Sequence, residues 1–252
     1  MATELTLRRT LPIPAALAVA VVALQIAYPL TAGVTRDRLT VVTVLVFAAT
    51  AVAHAAVTRG GATAVRLLLV TAVPGFAVEV LGVRTGFPFG DYAYSHRLGP
   101  MLLDTPVVVA FAWTMLAWPA ALAAHRLARG VVARVLIGAW ALAACDLFLD
   151  PQLVAAGGWR WAHPSPHLPG VPDVPLTNYA GWLAVALVMS SLVQRVAGAT
   201  DADDRVPVAL YLWLFAGWVL ALGAFLDLRG AAAWGAVGMG AVAVPLARRL
   251  VR

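Results

Sequence analysis

Of the 252 residues, 62% are apolar and 12% charged, against about 25% charged in a soluble domain, so water is not the main solvent of this surface. The formal charge of +6 does not point to nucleic acid, because the arginines sit between apolar blocks rather than on one basic face or in one run. All 18 basic residues are arginine; without lysine there is no Schiff base to retinal or pyridoxal phosphate, and the lone Cys145 allows neither an intrachain disulfide nor a cysteine metal cluster.

The apolar residues come in blocks of about 18–24, the length a helix needs to cross a hydrocarbon core of about 30 Å. Alternating ten-residue strands are absent, which argues against an outer-membrane barrel. In chain order the spans fall at about 11–34, 39–57, 63–83, 101–124, 131–149, 176–197, 207–226 and 231–247. The expected fold is therefore all-α, a polytopic membrane bundle of about eight transmembrane helices forming one domain over residues 1–252. The first block is too long for a signal-peptide core and has no clear cleavage site before Arg36, so it reads as a span. The Arg8-Arg9 pair reads as a topology determinant rather than a twin-arginine signal. With both termini cytoplasmic, 12 arginines lie inside the cell membrane and 6 outside, the latter being Arg36, Arg38, Arg84, Arg97, Arg160 and Arg229.

Two long polar segments, 84–100 and 150–175, fall on the outer side. Both are dense in Gly, Pro and aromatics and read as ordered caps or re-entrant segments rather than linkers. Sliding the chain by 67 residues superposes Glu79 on Asp146, Tyr92 on Trp159 and Tyr94 on Trp161; two further residues bring Asp104 onto Asp173 and Trp113 onto Trp182. That is the pattern of an internal parallel repeat, helices 3–4 against 5–6 over about 63–130 and 131–197, with its interface as the natural site.

Ionisable side chains inside a span are costly and mark function by default. Glu79, Asp146 and Asp150 qualify, and the four-residue spacing of the two aspartates puts them on one helix face. Asp150, followed by Pro151, is also readable as a helix-end residue. Asp104 and Asp173, just ahead of Pro106 and Pro175, are expected as N-caps of the fourth and sixth helices. His163 and His167 have metal-like spacing, but Pro164 and Pro166 keep a regular helix from presenting them together, and no metal site is expected. His54 and His125 read as ordinary helix or loop residues. Tyr92, Tyr94, Trp159 and Trp161 suit either an interfacial aromatic belt or stabilisation of a cation.

The run Gly82-Val83-Arg84-Thr85-Gly86-Phe87-Pro88-Phe89-Gly90-Asp91-Tyr92-Ala93-Tyr94, then Asp146-Leu147-Phe148-Leu149-Asp150-Pro151, then Gly157-Gly158-Trp159-Arg160-Trp161, resembles the integral-membrane carotenoid biosynthesis family that includes carotenoid 1,2-hydratases. So do Pro169-Gly170-Val171-Pro172 and Pro175-Leu176-Thr177-Asn178-Tyr179-Ala180-Gly181-Trp182. The likeness covers about residues 75–190 and is weak over the first two and last two helices. It implies addition of water to the terminal double bond of an acyclic carotenoid end, with no cofactor. The implied partners are the polyene, membrane lipid and other carotenoid-pathway enzymes.

That chemistry needs a proton donor, surroundings that tolerate a tertiary carbocation, and a positioned water. Glu79 and Asp146 are the candidate donors, and Asp150 or Asn178 the groups that orient water. Asp91, Tyr92, Tyr94, Trp113, Trp159, Trp161 and Trp182 are the candidates for holding the substrate. A lycopene-cyclase-like enzyme would use the same acids and aromatics. A prenyltransferase would need a second Asp-rich motif beside Asp146-x-x-x-Asp150, and a transporter or carotenoid-binding protein would use the buried acids as proton relays or structural pairs.

Overall fold

The computed structural model describes residues 12–198 and 202–251; Arg8, Arg9 and Arg252 lie outside them. Among the described residues, eight helices are long and apolar enough to cross a membrane. They are α1 (Pro12–Ala27), α2 (Gly33–Arg59), α3 (Gly61–Thr85), α4 (Val108–Leu127), α5 (Val131–Ala155), α6 (Leu176–Ala197), α7 (Arg205–Leu220) and α8 (Arg229–Val251). A 3-10 turn, Tyr28–Leu30, extends α1, and a π-helical turn, Ala221–Phe225, extends α7.

Helix α4 is the axis of the bundle. Every residue from Trp113 to Ala124 is buried, and the helix touches α2, α3, α5, α6, α7 and α8. Its alanines at 117, 120, 121, 123 and 124 let neighbouring backbones approach closely, which is how helices associate where lipid supplies no hydrophobic drive between them.

The two long polar segments are capped by short strands. β1 (Tyr92–Tyr94) follows α3, and β4 (Trp159–Trp161) follows α5. They pair antiparallel, Tyr92 with Trp161, Ala93 with Arg160 and Tyr94 with Trp159. β2 (Met101–Leu102) and β3 (Thr105–Pro106) form a hairpin, and β5 (His167–Leu168) pairs with β6 (Val171–Pro175).

These strands correct several boundaries. The fourth helix begins at Val108 rather than near 101, because Leu103 and Asp104 take positive φ, 53° and 63°, the two-residue turn that closes a hairpin. Asp104 is thus an exposed turn residue and no N-cap; Val107 holds that position in α4. Asp173 is likewise an exposed strand residue, and Pro175 precedes α6 without a side-chain cap. Pro151 does not end the fifth helix, which continues to Ala155; a proline inside a packed membrane helix is tolerated where neighbours satisfy the freed carbonyl. Asp150 is therefore an interior helix residue. The first helix stops short of 34, because Thr31 and Ala32 are extended.

Candidate active site

Two acid clusters face one cavity at the capped side of the bundle. The first is built on α3, where Gly75, Glu79 and Gly82 share a face by their spacing. A Cβ at Gly75 would lie 2.5 Å from the Trp113 ring, and one at Gly82 would lie 2.8 Å from the Tyr92 hydroxyl. The two glycines therefore leave room for donors to reach the acid between them. Glu79 is 4% exposed. Its Oε2 accepts from the Tyr92 hydroxyl at 2.6 Å and the Tyr94 hydroxyl at 2.8 Å, and its Oε1 accepts from the Trp113 indole at 3.2 Å. Burial, with the Glu79 carboxylate beside them, pushes both tyrosine hydroxyls above their ordinary range, so both keep their protons and donate.

The second cluster joins α5 to the first turn of α6. Asp146 is fully buried and Asp150 is 3% exposed. The Asn178 side-chain nitrogen donates to Asp146 Oδ2 at 2.7 Å and also to Asp150 Oδ2. The two carboxyl groups thus share the Asn178 amide, and the buried Asp146 Oδ1 has no hydrogen-bond partner.

Between the clusters lies a cavity of about 270 Å³. Glu79, Asp150 and Asn178 line it, as do Tyr92, Tyr94, Trp113, Trp159, Trp161 and Trp182. Asp146 does not; it stands behind Asp150. The Trp113 and Trp182 rings stack with centroids 4.4 Å apart and planes at 16°. Tyr94 meets Trp159 edge-on at 5.4 Å, and Tyr92 lies 5.7 Å from Trp161. Aromatic faces are electron-rich, so a cation formed here would meet negative quadrupole rather than lipid. Trp161 also donates to the Phe89 carbonyl at 2.9 Å, fastening the ribbon to the chain after α3.

Asp91 falls outside the constellation. Its side chain is exposed and does not line the cavity, and its carbonyl accepts the Ala162 N–H at 2.8 Å; it serves the ribbon through its backbone. His163 and His167 are exposed, and among the described residues no three His, Cys, Asp or Glu side chains are gathered to hold a metal. His54 is more than an ordinary helix residue. It is buried toward the opposite face, where Nδ1 accepts from Trp118 and Nε2 meets the Asp203 carbonyl at 2.9 Å. Arg59 pairs with Asp204 at 2.8 Å alongside it and lies over the Trp118 ring. This group ties the chain ahead of α7 to α2.

The sequence reading missed the cavity's other wall. Tyr28, Thr40, Thr43, Gln152, Trp213 and Trp218 line it too, mostly from α1, α2 and α7, outside the stretch that carried the resemblance. The available signal was the spacing of Arg36, Thr40 and Thr43 along one face of α2. The cavity also reaches Ile26, Leu30, Leu220 and Phe225, all exposed on the bundle's outer surface between α1 and α7.

No solved structure matches the chain. Over 116 residues it is 36% identical to bisanhydrobacterioruberin hydratase of Haloarcula japonica, a stretch amounting to 43% of this chain and 37% of that protein. The family described as carotenoid biosynthesis protein matches residues 40–245, from α2 to α8, and takes in both acid clusters and the ribbon that covers them. With so much of the chain matched, this protein belongs to the carotenoid biosynthesis protein family.

Proposed function

We propose that the protein is a carotenoid hydratase that adds water across the terminal C=C of an acyclic carotenoid end. The observation that carries this reading is a single aromatic-lined cavity faced by acids from two sides, Glu79 from α3 and Asp150 from α5. Its volume lies just below the usual range of small-molecule sites, about 300–1,000 Å³, and suits the end of a chain rather than a whole polyene. The rest of the chain would remain among lipid tails, leaving through the apolar mouth at Ile26, Leu30, Leu220 and Phe225.

Two buried carboxyl groups that share one amide donor favour a proton on one of them, since like charges held close together resist joint ionisation. The Asp146–Asp150 pair is therefore the proton reservoir, and Asp150, the member facing the cavity, is the donor. Transfer of its proton to the secondary alkene carbon leaves a tertiary cation on the neighbouring carbon. Tyr92, Tyr94, Trp113, Trp159, Trp161 and Trp182 surround that charge. Water then bonds to the cation and gives up one proton, which Glu79 is placed to accept across the cavity. The reaction consumes one water and returns the acids to their starting state after proton exchange between the clusters. It calls for no redox cofactor.

The internal repeat belongs to the same proposal. Its support is that residues equivalent under the offset meet one another: Trp113 stacks on Trp182, and β1 pairs with β4. An axis along the membrane normal would pass between them. We also place both termini in the cytoplasm and the capped face outside, from the bias of arginines.

The test is to express the chain in a bacterium that accumulates an acyclic carotenoid and weigh the extracted pigments. A product heavier by one water supports hydration. A product of unchanged mass with altered chromatography points to cyclisation, and unchanged pigment refutes both.

A further inference from the structure

Hydration needs a place for water as well as a place for the alkene. The acid clusters leave little room for it. Both Glu79 oxygens are already engaged by Tyr92, Tyr94 and Trp113, and the Asn178 amide nitrogen is divided between two aspartates. Other polar groups of the cavity lie at its other wall, where Tyr28, Thr40, Thr43 and Gln152 contribute to the lining, alongside Gln25, which accepts from the Trp213 indole.

Two of these side chains have hydrogen-bonding capacity that the protein does not use. Tyr28 is 8% exposed, and its hydroxyl, like that of Thr43, is buried with no hydrogen-bond partner. Buried hydroxyls are costly unless something satisfies them, so an unpaired pair opening on one cavity marks a polar ligand. Thr40 stands one turn before Thr43 on α2, and Gln152 lines the same cavity. The Thr40 hydroxyl donates to the Arg36 carbonyl at 3.0 Å and keeps its lone pairs free to accept. A small molecule that both donates and accepts fits such a set; an apolar chain end does not.

The same wall connects to the aqueous surface. Arg36, Thr40 and Thr43 recur at helical spacing and share a face of α2. The Arg36 guanidinium lies 5.3 Å over the Tyr28 ring. One residue on, Asp37 faces Arg97 of the capping segment at 3.6 Å, and Arg97 is half exposed. A polar line therefore runs from the capped face down α2 and ends at Thr43, inside the cavity.

We infer that Tyr28, Thr40, Thr43 and Gln152 form the water subsite of this cavity, supplied along α2 from the capped face while the isoprenoid end occupies the aromatic half. The inference rests on the hydration reading and deepens it. It makes Tyr28 and Thr43 positioning residues for the nucleophile with no part in protonating the alkene. Once the cation forms it has two fates. Water held at the subsite bonds to it and passes a proton to Glu79, giving the tertiary alcohol; otherwise the cation returns a proton from an adjacent carbon to the Asp150 carboxylate and an alkene forms again. In D2O the first path gives a deuterated alcohol, and the second leaves deuterium in the recovered alkene.

The experiment incubates detergent-purified full-length protein with an acyclic carotenoid in D2O and measures, by mass, the ratio of alcohol to deuterium-labelled alkene. Tyr28→Phe and Thr43→Val each remove one hydroxyl and nearly preserve volume. Each is expected to lower the ratio about fivefold, the worth of a single hydrogen bond to the water. The ratio is internal to each sample, so a variant that folds in lower yield still reports. A wild-type ratio in both variants, whether turnover is kept or lost, overturns the subsite. Wild-type protein that yields no alcohol overturns the hydration reading itself, and this inference with it, before any variant is compared.

Discussion

Replacing Asp150 by asparagine separates a catalytic acid from a structural one. The asparagine has the same shape, its Oδ1 can still accept from Asn178, and its NH2 can donate to Asp146, so both hydrogen bonds of the cluster survive. The stability change should stay within about 1 kcal/mol. Against the 5–15 kcal/mol stability of a typical domain, that leaves the folded fraction essentially unchanged. An amide cannot deliver a proton to an alkene carbon, however, and a lost general acid costs about 10²- to 10⁴-fold in rate. At about 1.36 kcal/mol per tenfold, the barrier should rise by about 2.7–5.4 kcal/mol. The assay is hydrated product per mole of folded, detergent-purified protein, with folding followed by thermal melting and gel filtration. Near-wild-type turnover in Asp150→Asn would refute the assignment. So would a loss of activity that merely tracks the loss of folded protein.

Asp146→Asn should also lose turnover, but less, since Asp146 does not line the cavity. The double variant should be little worse than Asp150→Asn, because groups acting as a unit are not additive; multiplied defects in the product assay would separate the two residues. Gly75→Ala puts a Cβ 2.5 Å from the Trp113 ring. It should lower stability by about 1–3 kcal/mol by overpacking and push the indole off Glu79, with melting temperature and turnover falling together; an unperturbed variant would contradict the close packing. Asp104→Cys places a thiol at an exposed hairpin turn, while the native Cys145 is buried. An impermeant maleimide should label it in intact cells, and labelling only after lysis would reverse the proposed orientation.

Much of the site was legible because its chemistry is rare in this composition. A carboxylate inside an apolar span stands out whatever the tertiary structure, and Glu79, Asp146 and Asp150 were identifiable on that ground alone. The aromatic pairs at 92/94 and 159/161 were visible by their repetition. The paired strands were not, since segments of two or three residues carry too little alternation to register as strands. For the same reason Asp104 and Asp173 looked like caps: an acid ahead of a proline fits a helix start as well as a hairpin.

What the residues determine by themselves is the number of the spans, because the bilayer demands an apolar run of sufficient length from any helix that crosses it. The same rule marks every charge within a run as exceptional. Only the tertiary structure decides which polar groups face one another. It turns Asp150 rather than Asp146 to the cavity and brings Asn178 from another helix to both. It also stacks Trp113 on Trp182 and adds the hydroxyls of Tyr28 and Thr43 from outside the motifs quoted for the resemblance. The cause is that helix rotation and pairing depend on close packing between small residues such as Gly75 and Gly82 and the large rings they admit. That complementarity arises between segments far apart in the chain, and local periodicity contains no record of it.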